Sequence, residues 1–355
     1  MTICSLVMQQ PAINDQDSSL QLTPIAISTK RAICSGLWGN QNISQHRTGG
    51  IDELDAYFRY YTEQSDFFEP GRQSWAETHR DINDIVTLLR QDLRRDEIRQ
   101  ILRARMQPSQ STGNDQCLDS SIDLAIRLLL MMKVGDLSDY YSAYKALIWE
   151  EGPTLREFVV NEFASRQAFA NERVKLDKFF TARNLSRLAG MKIYWTNNLA
   201  DHLRILDEDT EVAIFHHASF LELVRFTDWY PPGLIDETLR TLALLFPSKD
   251  DTRTWFERLA PNEAVDAGVI QCGQLRAEDR HIDSFVFWRD RLVVLKQIFD
   301  EKEPTSWLQW WHDKRRGLQR YPFLLAAIAL ILSLFIGLLQ CVVGGVQVYK
   351  AYYPS

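Results

Sequence analysis

The residues with the most chemical promise are His216 and His217, which end a short apolar run, Glu211 to His217 (EVAIFHH). Two imidazoles side by side suggest a metal or an acid–base pair. Their spacing argues against both. Adjacent residues on a strand point to opposite faces, so the pair does not chelate one ion in the usual way. Glu222 follows His217 by five residues, which is not the HExxH arrangement of a zinc peptidase. The expectation is one buried, hydrogen-bonded imidazole and one exposed. The chain has no GxSxG, P-loop, GxGxxG or kinase signature. Cys4, Cys34, Cys117, Cys272 and Cys341 are odd in number and contain no CxxC pair, which fits reduced thiols and excludes a disulfide framework or a cysteine zinc site. Asp279-Arg280-His281 and Trp288-Arg289-Asp290-Arg291 are dense in charge and read as ion pairs between helices. Arg90, Arg94, Arg95, Arg99, Arg103 and Arg105 form a basic run. It reads as a solvated helix face balanced by Asp92, Asp96 and Glu97, with contact to anionic lipid or a partner as the alternative. No residue is assigned a catalytic, cofactor-binding or metal role, and no cofactor is expected.

The elements that would position these side chains are mainly helical. A hydrophobic share of 45% and an aromatic share of 11% mark a folded chain. Residues 1–48, rich in Gln, Ser, Thr and Asn, read as mostly disordered. Residues 49–306 read as one α-helical domain, with a possible subdomain boundary at 107–116 in the loop PSQSTGND. Ile51 to Tyr61 begins it with Leu54, Phe58 and Tyr61 on one face. A long helix from Ser74 follows, striped by Ile82, Val86, Leu89 and Leu93 and continued by Ile98, Ile101 and Leu102. Ile122 to Val134 is apolar but too short to span a bilayer, so it reads as a core helix. A short helix is expected over Tyr140 to Trp149, and a long one from Leu155 to about Leu176. Met191 to Thr196 and Glu211 to His217 read as a small β-hairpin around a helix, Asn197 to Leu206. A winged-helix arrangement is the alternative there. Leu234 to Phe246 and Thr252 to Leu259 read as helices, and Phe285, Trp288, Leu292, Leu295 and Phe299 stripe another. The expected class is mainly α: a helical soluble domain with a minor hairpin, plus one C-terminal transmembrane helix.

That last helix spans 322–348. From Phe323 to Val346 there is no charge, and about 24 residues at about 1.5 Å each cover a hydrocarbon core of about 30 Å. A juxtamembrane segment, 307–321, carries Trp307, Trp310, Trp311 and Tyr321 with Lys314, Arg315, Arg316 and Arg320; the tail, 349–355, holds Tyr349, Lys350, Tyr352 and Tyr353. Positive flanks stay cytoplasmic and aromatic rings sit at both interfaces, so the expectation is a tail-anchored protein with its N-terminal domain in the cytosol. MTICSLVMQQ has no basic leader, which argues against a cleaved signal peptide. The sequons at Asn42 and Asn184 would then stay unmodified. Endoplasmic reticulum or later secretory membranes are favoured over mitochondria. Ala329, Ser333, Gly337, Cys341 and Gly345 recur every four residues and give a helix-packing face for a second copy or another membrane helix, with Gln340 and Gln347 able to bond across it. The expected partners are therefore the bilayer and a protein not identifiable from sequence. A net charge of −7 argues against a general nucleic-acid binder.

The run DRHIDSFVFWRDRLVVLKQIFDE (279–301), WLQWWHDKRRGLQRYPF and the ending VQVYKAYYP resemble a family of uncharacterised fungal membrane proteins. NLADHLRIL with AIFHHASFL, and GLIDETLRTLALLFP, are similar to its internal motifs. The resemblance covers roughly 175–355 well and the N-terminal half weakly. It implies an α-rich cytosolic domain with a C-terminal anchor and brings no catalytic residue with it. The reading is a membrane-tethered adaptor, scaffold or sensor. The alternatives are a membrane-bound enzyme with a site near His216 and His217, and a nucleic-acid-binding domain held at a membrane.

Overall fold

The computed structural model describes residues 17–21, 24–39, 53–66, 75–105, 115–135, 146–164, 174–248, 251–302 and 317–352. In chain order the helices are α1 (Ile27–Trp38), α2 (Asp55–Asp66), α3 (His79–Leu89), α4 (Arg95–Arg105), α5 (Asp115–Leu130), α6 (Leu155–Glu162) and α7 (Ala182–Leu188). Strands β1 (Lys192–Thr196), β2 (Ile205–Leu206) and β3 (Glu211–Phe215) follow, then α8 (Ala218–Val224), α9 (Leu234–Leu245), α10 (Asp251–Glu263), α11 (Arg289–Glu301) and α12 (Gly317–Tyr352). The architecture is mainly α with one small sheet and one apolar C-terminal helix. The chain divides into two units, residues 1–301 and 302–355; most of the expected subdomain boundary at 107–116 lies outside the described residues.

The first unit is built on α5, buried on every side from Ser121 to Leu130. Such a helix must satisfy its last four carbonyls without water. Aromatic donors from distant segments supply those bonds. Tyr60 Oη donates to Arg127 O at 3.2 Å, Tyr57 Oη to Leu128 O at 2.8 Å, Trp38 Nε1 to Leu129 O at 3.1 Å and Tyr230 Oη to Leu130 O at 2.8 Å. Each side chain also fills core space, with the Trp38 and Tyr57 rings meeting edge to face at 5.1 Å. Replacing Tyr57 by Phe keeps the ring and strands one carbonyl, so the expected loss is about 1–3 kcal/mol in chemical denaturation. A change near zero would mean that water reaches this helix end.

Several sequence expectations are corrected here. Within the 1–48 segment, α1 is an ordered helix that buries Ile33, Cys34, Leu37 and Trp38. The long helix from Ser74 is two. Thr78 opens α3 with a reciprocal capping box to Asp81, and the chain turns at Asp92, where φ is +54°, before α4. The basic run is a solvated face only in part: Arg90, Arg94, Arg103 and Arg105 are exposed, whereas Arg95 is buried and Arg99 half-buried. Arg95 bonds Asp123 at 2.7 Å and Asp119 at 3.1 Å; Arg99 bonds Asp119 at 3.0 Å and Glu151 at 2.8 Å. Arg103 pairs with Asp115, and Arg90 donates to the last-turn carbonyls of α1 at Gly36 and Leu37. The acids that balance these arginines lie mostly on α5. In α6 the helix stops at Glu162; residues 165–173 of the expected longer helix lie outside the described residues. Leu147 bridges Val134 as extended backbone rather than ending a helix, and 136–145 lie outside the described residues. Phe285 and Trp288 precede α11 and do not belong to it.

The sheet order is β1-β3-β2. The hairpin joins β2 to β3 around Asp207, Glu208 and Asp209, all in the left-handed region. The hairpin expected of Met191 to Thr196 with Glu211 to His217 is corrected: β1 lies parallel to β3, in register from Lys192↔Glu211 to Thr196↔Phe215, and the antiparallel partner of β3 is β2. The stretch expected as a helix between them is a single 3-10 turn, Leu199–Asp201. This arrangement is not a winged helix.

Candidate functional site

Parallel pairing brings the carboxyl ends of β1 and β3 together, so Asn197 and His216 are neighbours although far apart in sequence. β3 stops at Phe215, and the backbone at His217 (φ −83°, ψ 68°) has left the strand. The alternation rule therefore lapses at the histidines. Both are buried, at 6% and 1% exposure, and their rings stack with centroids 4.0 Å apart. The expected split into one buried and one exposed imidazole is corrected.

Both Nε2 atoms meet the same oxygen, Asn197 Oδ1, at 3.1 Å from His216 and 2.7 Å from His217. His216 Nδ1 accepts the Asp266 N–H at 3.3 Å. An Nδ1 that accepts carries no proton, so the His216 proton sits on Nε2, where it donates to Asn197. An Nε2 holding that proton is not free to ligate a metal. The Asp266 carboxylate is occupied by the Ser219 N–H at 2.7 Å, the Ser219 hydroxyl at 2.9 Å and the Gly268 N–H at 2.8 Å. Burial pushes the Asp266 carboxyl up, against the pull of these donors. Burial lowers His216 to about 3, with the Arg59 charge adding to it. Burial also takes His217 well below its ordinary value, helped by the neighbouring imidazole and Arg59. The pair is a neutral, locked joint.

A second buried polar chain surrounds His202, which the sequence did not single out. His202 Nδ1 accepts the Phe215 N–H at 3.1 Å, and its Nε2 donates to Thr241 Oγ1 at 2.6 Å. Thr241 donates on to Thr238 O at 2.6 Å, and Trp288 Nε1 donates to Thr238 Oγ1 at 2.9 Å. Glu237 accepts the N–H groups of Val286 and Trp288 at 2.8 and 2.7 Å. Burial holds His202 at about 3, with Arg291 adding to it. In the charge-dense runs, Arg289 pairs with Asp283 at 2.9 Å, while Arg291 donates to the backbone carbonyls of Ala200 and His202. These groups fasten loops to helices and none presents a base to solvent. The expected helix-to-helix ion pairs are here local and backbone-directed. Among the described residues no group of three or more His, Cys, Asp or Glu is arranged to hold a metal.

In the second unit, Leu325–Tyr349 is a 25-residue stretch of α12 with mean hydropathy 2.6 and no part of its most apolar window buried. It is long and apolar enough to cross a membrane. Ala329, Ser333, Gly337, Cys341 and Gly345 all fall on α12. Ser333 Oγ donates to Ala329 O at 2.8 Å, satisfying its hydroxyl within the helix, and Leu330, Leu334 and Leu338 rim a shallow groove over Ser333, Gly337 and Cys341. Gln340 and Gln347 lie on the same helix. Of the flanking residues, Trp307, Trp310, Trp311, Lys314, Arg315 and Arg316 lie outside the described residues; Arg320, Tyr321 and Tyr349 are in α12. Comparison with protein-family models, curated proteins and solved structures finds no match to this chain, and so adds no support to the fungal membrane-protein family.

Proposed function

We propose that this chain is a single-pass membrane protein whose first unit works at the membrane surface by binding a protein, as a tethered adaptor or scaffold. The carrying observation is α12, which holds a 25-residue, uncharged, mainly apolar stretch whose most apolar window has no part buried. Exposing such a surface to water is costly, whereas lipid accommodates it. The cationic residues Lys314, Arg315, Arg316 and Arg320 cluster just before the span, against Lys350 within residues 349–355, which supports a cytosolic first unit. Endoplasmic reticulum or later secretory membranes suit this layout, and the groove over Ser333 and Gly337 suits a second α12 or another membrane helix. The same layout agrees with the resemblance to fungal membrane proteins. The enzyme reading needs a reactive group open to a substrate near His216 and His217, and both rings are buried, His216 engaged at both nitrogens and His217 bonded to Asn197 through Nε2. A nucleic-acid reading is weakened by the pairing of Arg95, Arg99 and Arg103 with acids of this chain and of Arg90 with backbone carbonyls.

Topology mapping tests the proposal. A glycosylation acceptor placed after Ser355 is expected to be modified in cells, while one near residue 20 is not. Modification of the residue-20 tag alone overturns the orientation. Complete extraction of the chain by alkaline carbonate overturns the anchor itself.

A further inference from the structure

We propose that the joint of His216, His217 and Asn197 is an acid-sensitive latch, and that a proton taken up at His217 Nδ1 opens the carboxyl edge of the sheet. Nδ1 of His217 is the only buried imidazole nitrogen without a hydrogen-bond partner among the described residues. His216 and His202 have both nitrogens engaged. His217 therefore offers the lone pair that a proton reaches without first displacing a bond. Once there, the proton meets no free acid among the described groups acting on the pair. The stacked His216 ring lies 4.0 Å away, and Tyr60 on α2 lies 6.2 Å from His217. Phe215 lies 5.3 Å from His217, and Trp195 on β1 lies 6.1 Å from His216. The charged groups acting on the pair are unfavourable or occupied. Arg59 is a cation that opposes a second positive charge. Asp266 spends both carboxylate oxygens on Ser219 and Gly268, and Glu53 acts on Asp266.

The sign follows from the direction of the shifts. Both histidines are held neutral in the fold, well below the ordinary value of 6.5. The joint is fully stable above that value and weakens as pH falls through it towards the folded value. Each proton gained on opening favours the open state about tenfold per pH unit, so the pair gives up to about a hundredfold per unit. The joint touches three parts of the fold: the β1–β3 edge, α2 through Tyr60, and the Asp266–Gln271 segment. Opening frees the N–H groups of Asp266 and Ser219 while leaving the core around α5 intact.

Hydrogen exchange on the full chain in nanodiscs, corrected for intrinsic rates, tests this between pH 7 and 5. Faster exchange at 215–219 and 266–271 on acidification, ahead of α5, is expected. His217→Gln, which donates to Asn197 but takes no proton, should reduce the pH response about tenfold per unit. Should that variant fail to fold, Asn197→Asp serves instead. Its carboxylate would balance the imidazolium and move the opening about one unit lower in pH. Unchanged opening in the variant that folds, or loosening of α5 in step with the joint, would overturn the latch.

Discussion

Replacing Asp123 by Ala is expected to destabilise the first unit by about 3–5 kcal/mol, because it leaves buried positive charge without its closest counter-ion. Asp123 Oδ1 takes Arg95 Nη1 at 2.7 Å, with both side chains about a tenth exposed. Burial alone would lower the Arg95 guanidinium, but the bonds and charges of Asp123 and Asp119 outweigh it and raise its proton affinity. The same carboxylate acts on Arg127, one turn along α5, which is buried and lowered by desolvation. Arg127 Nη1 donates to Val134 O at 3.0 Å, and among the described residues its Nε has no partner. One carboxylate thus supports two buried guanidinium groups. Gly135 approaches it so closely that a Cβ there would sit 2.5 Å from Asp123 Oδ2, and its φ is +97°, so backbone and carboxylate are fitted to each other. Asp123→Asn keeps an acceptor for Arg95 and should lose less than Ala. Chemical denaturation of the full chain in micelles, read by near-ultraviolet circular dichroism, measures the difference. A loss below about 1 kcal/mol for Asp123→Ala would mean that the pair merely offsets its own desolvation.

This network shows where the sequence was readable and where it was not. α9 and α10 stand close to their expected positions, because their apolar residues recur at helical spacing and their neighbours are turns. α12 was legible for a plainer reason, the lack of charge from Phe323 to Val346. The break between α3 and α4 was hidden, because Ile82, Val86, Leu89 and Leu93 continue one stripe across it and the turn depends on a single backbone conformation at Asp92. In α1 (ISTKRAICSGLW) only a few apolar residues supply the burial, so a polar segment concealed a core helix. Arg95 and Arg99 looked solvated because their partners lie elsewhere: Asp119 and Asp123 are 24 and 28 residues from Arg95. The histidine joint failed for the same reason. Asn197 is 19 residues from His216 and Asp266 is 50. A period-two rule has no means of reporting where a strand ends. Composition reports what must be buried, while the partners that make burial of charge tolerable are set by topology.

The largest expected effect concerns α12, and it is a change of location. Leu325–Tyr349 contains fourteen Leu, Ile, Val and Phe residues, each favouring insertion by about 0.3–0.6 kcal/mol, whereas an Arg near the centre opposes it by about 2.5–3.5 kcal/mol. The aliphatic total is then about 4–8 kcal/mol. Leu334→Arg with Leu338→Arg removes two favourable residues and adds roughly 5–7 kcal/mol of penalty, enough to cancel it. Both positions are exposed on the helix, so the substitutions disturb no packing within the chain. The double variant should leave the carbonyl-capped core around α5 folded and move the protein from the carbonate-resistant membrane fraction to the soluble one. Arg at the outer position Val348 should change little, because a long cationic side chain there reaches the headgroups. That contrast separates loss of spanning from a general effect of added charge. If the double variant stays in the membrane fraction with its first unit folded, the first unit itself holds the membrane. The function would then have to be sought on its surface, where Phe226, Ile148 and Val160 are the exposed apolar side chains to change first.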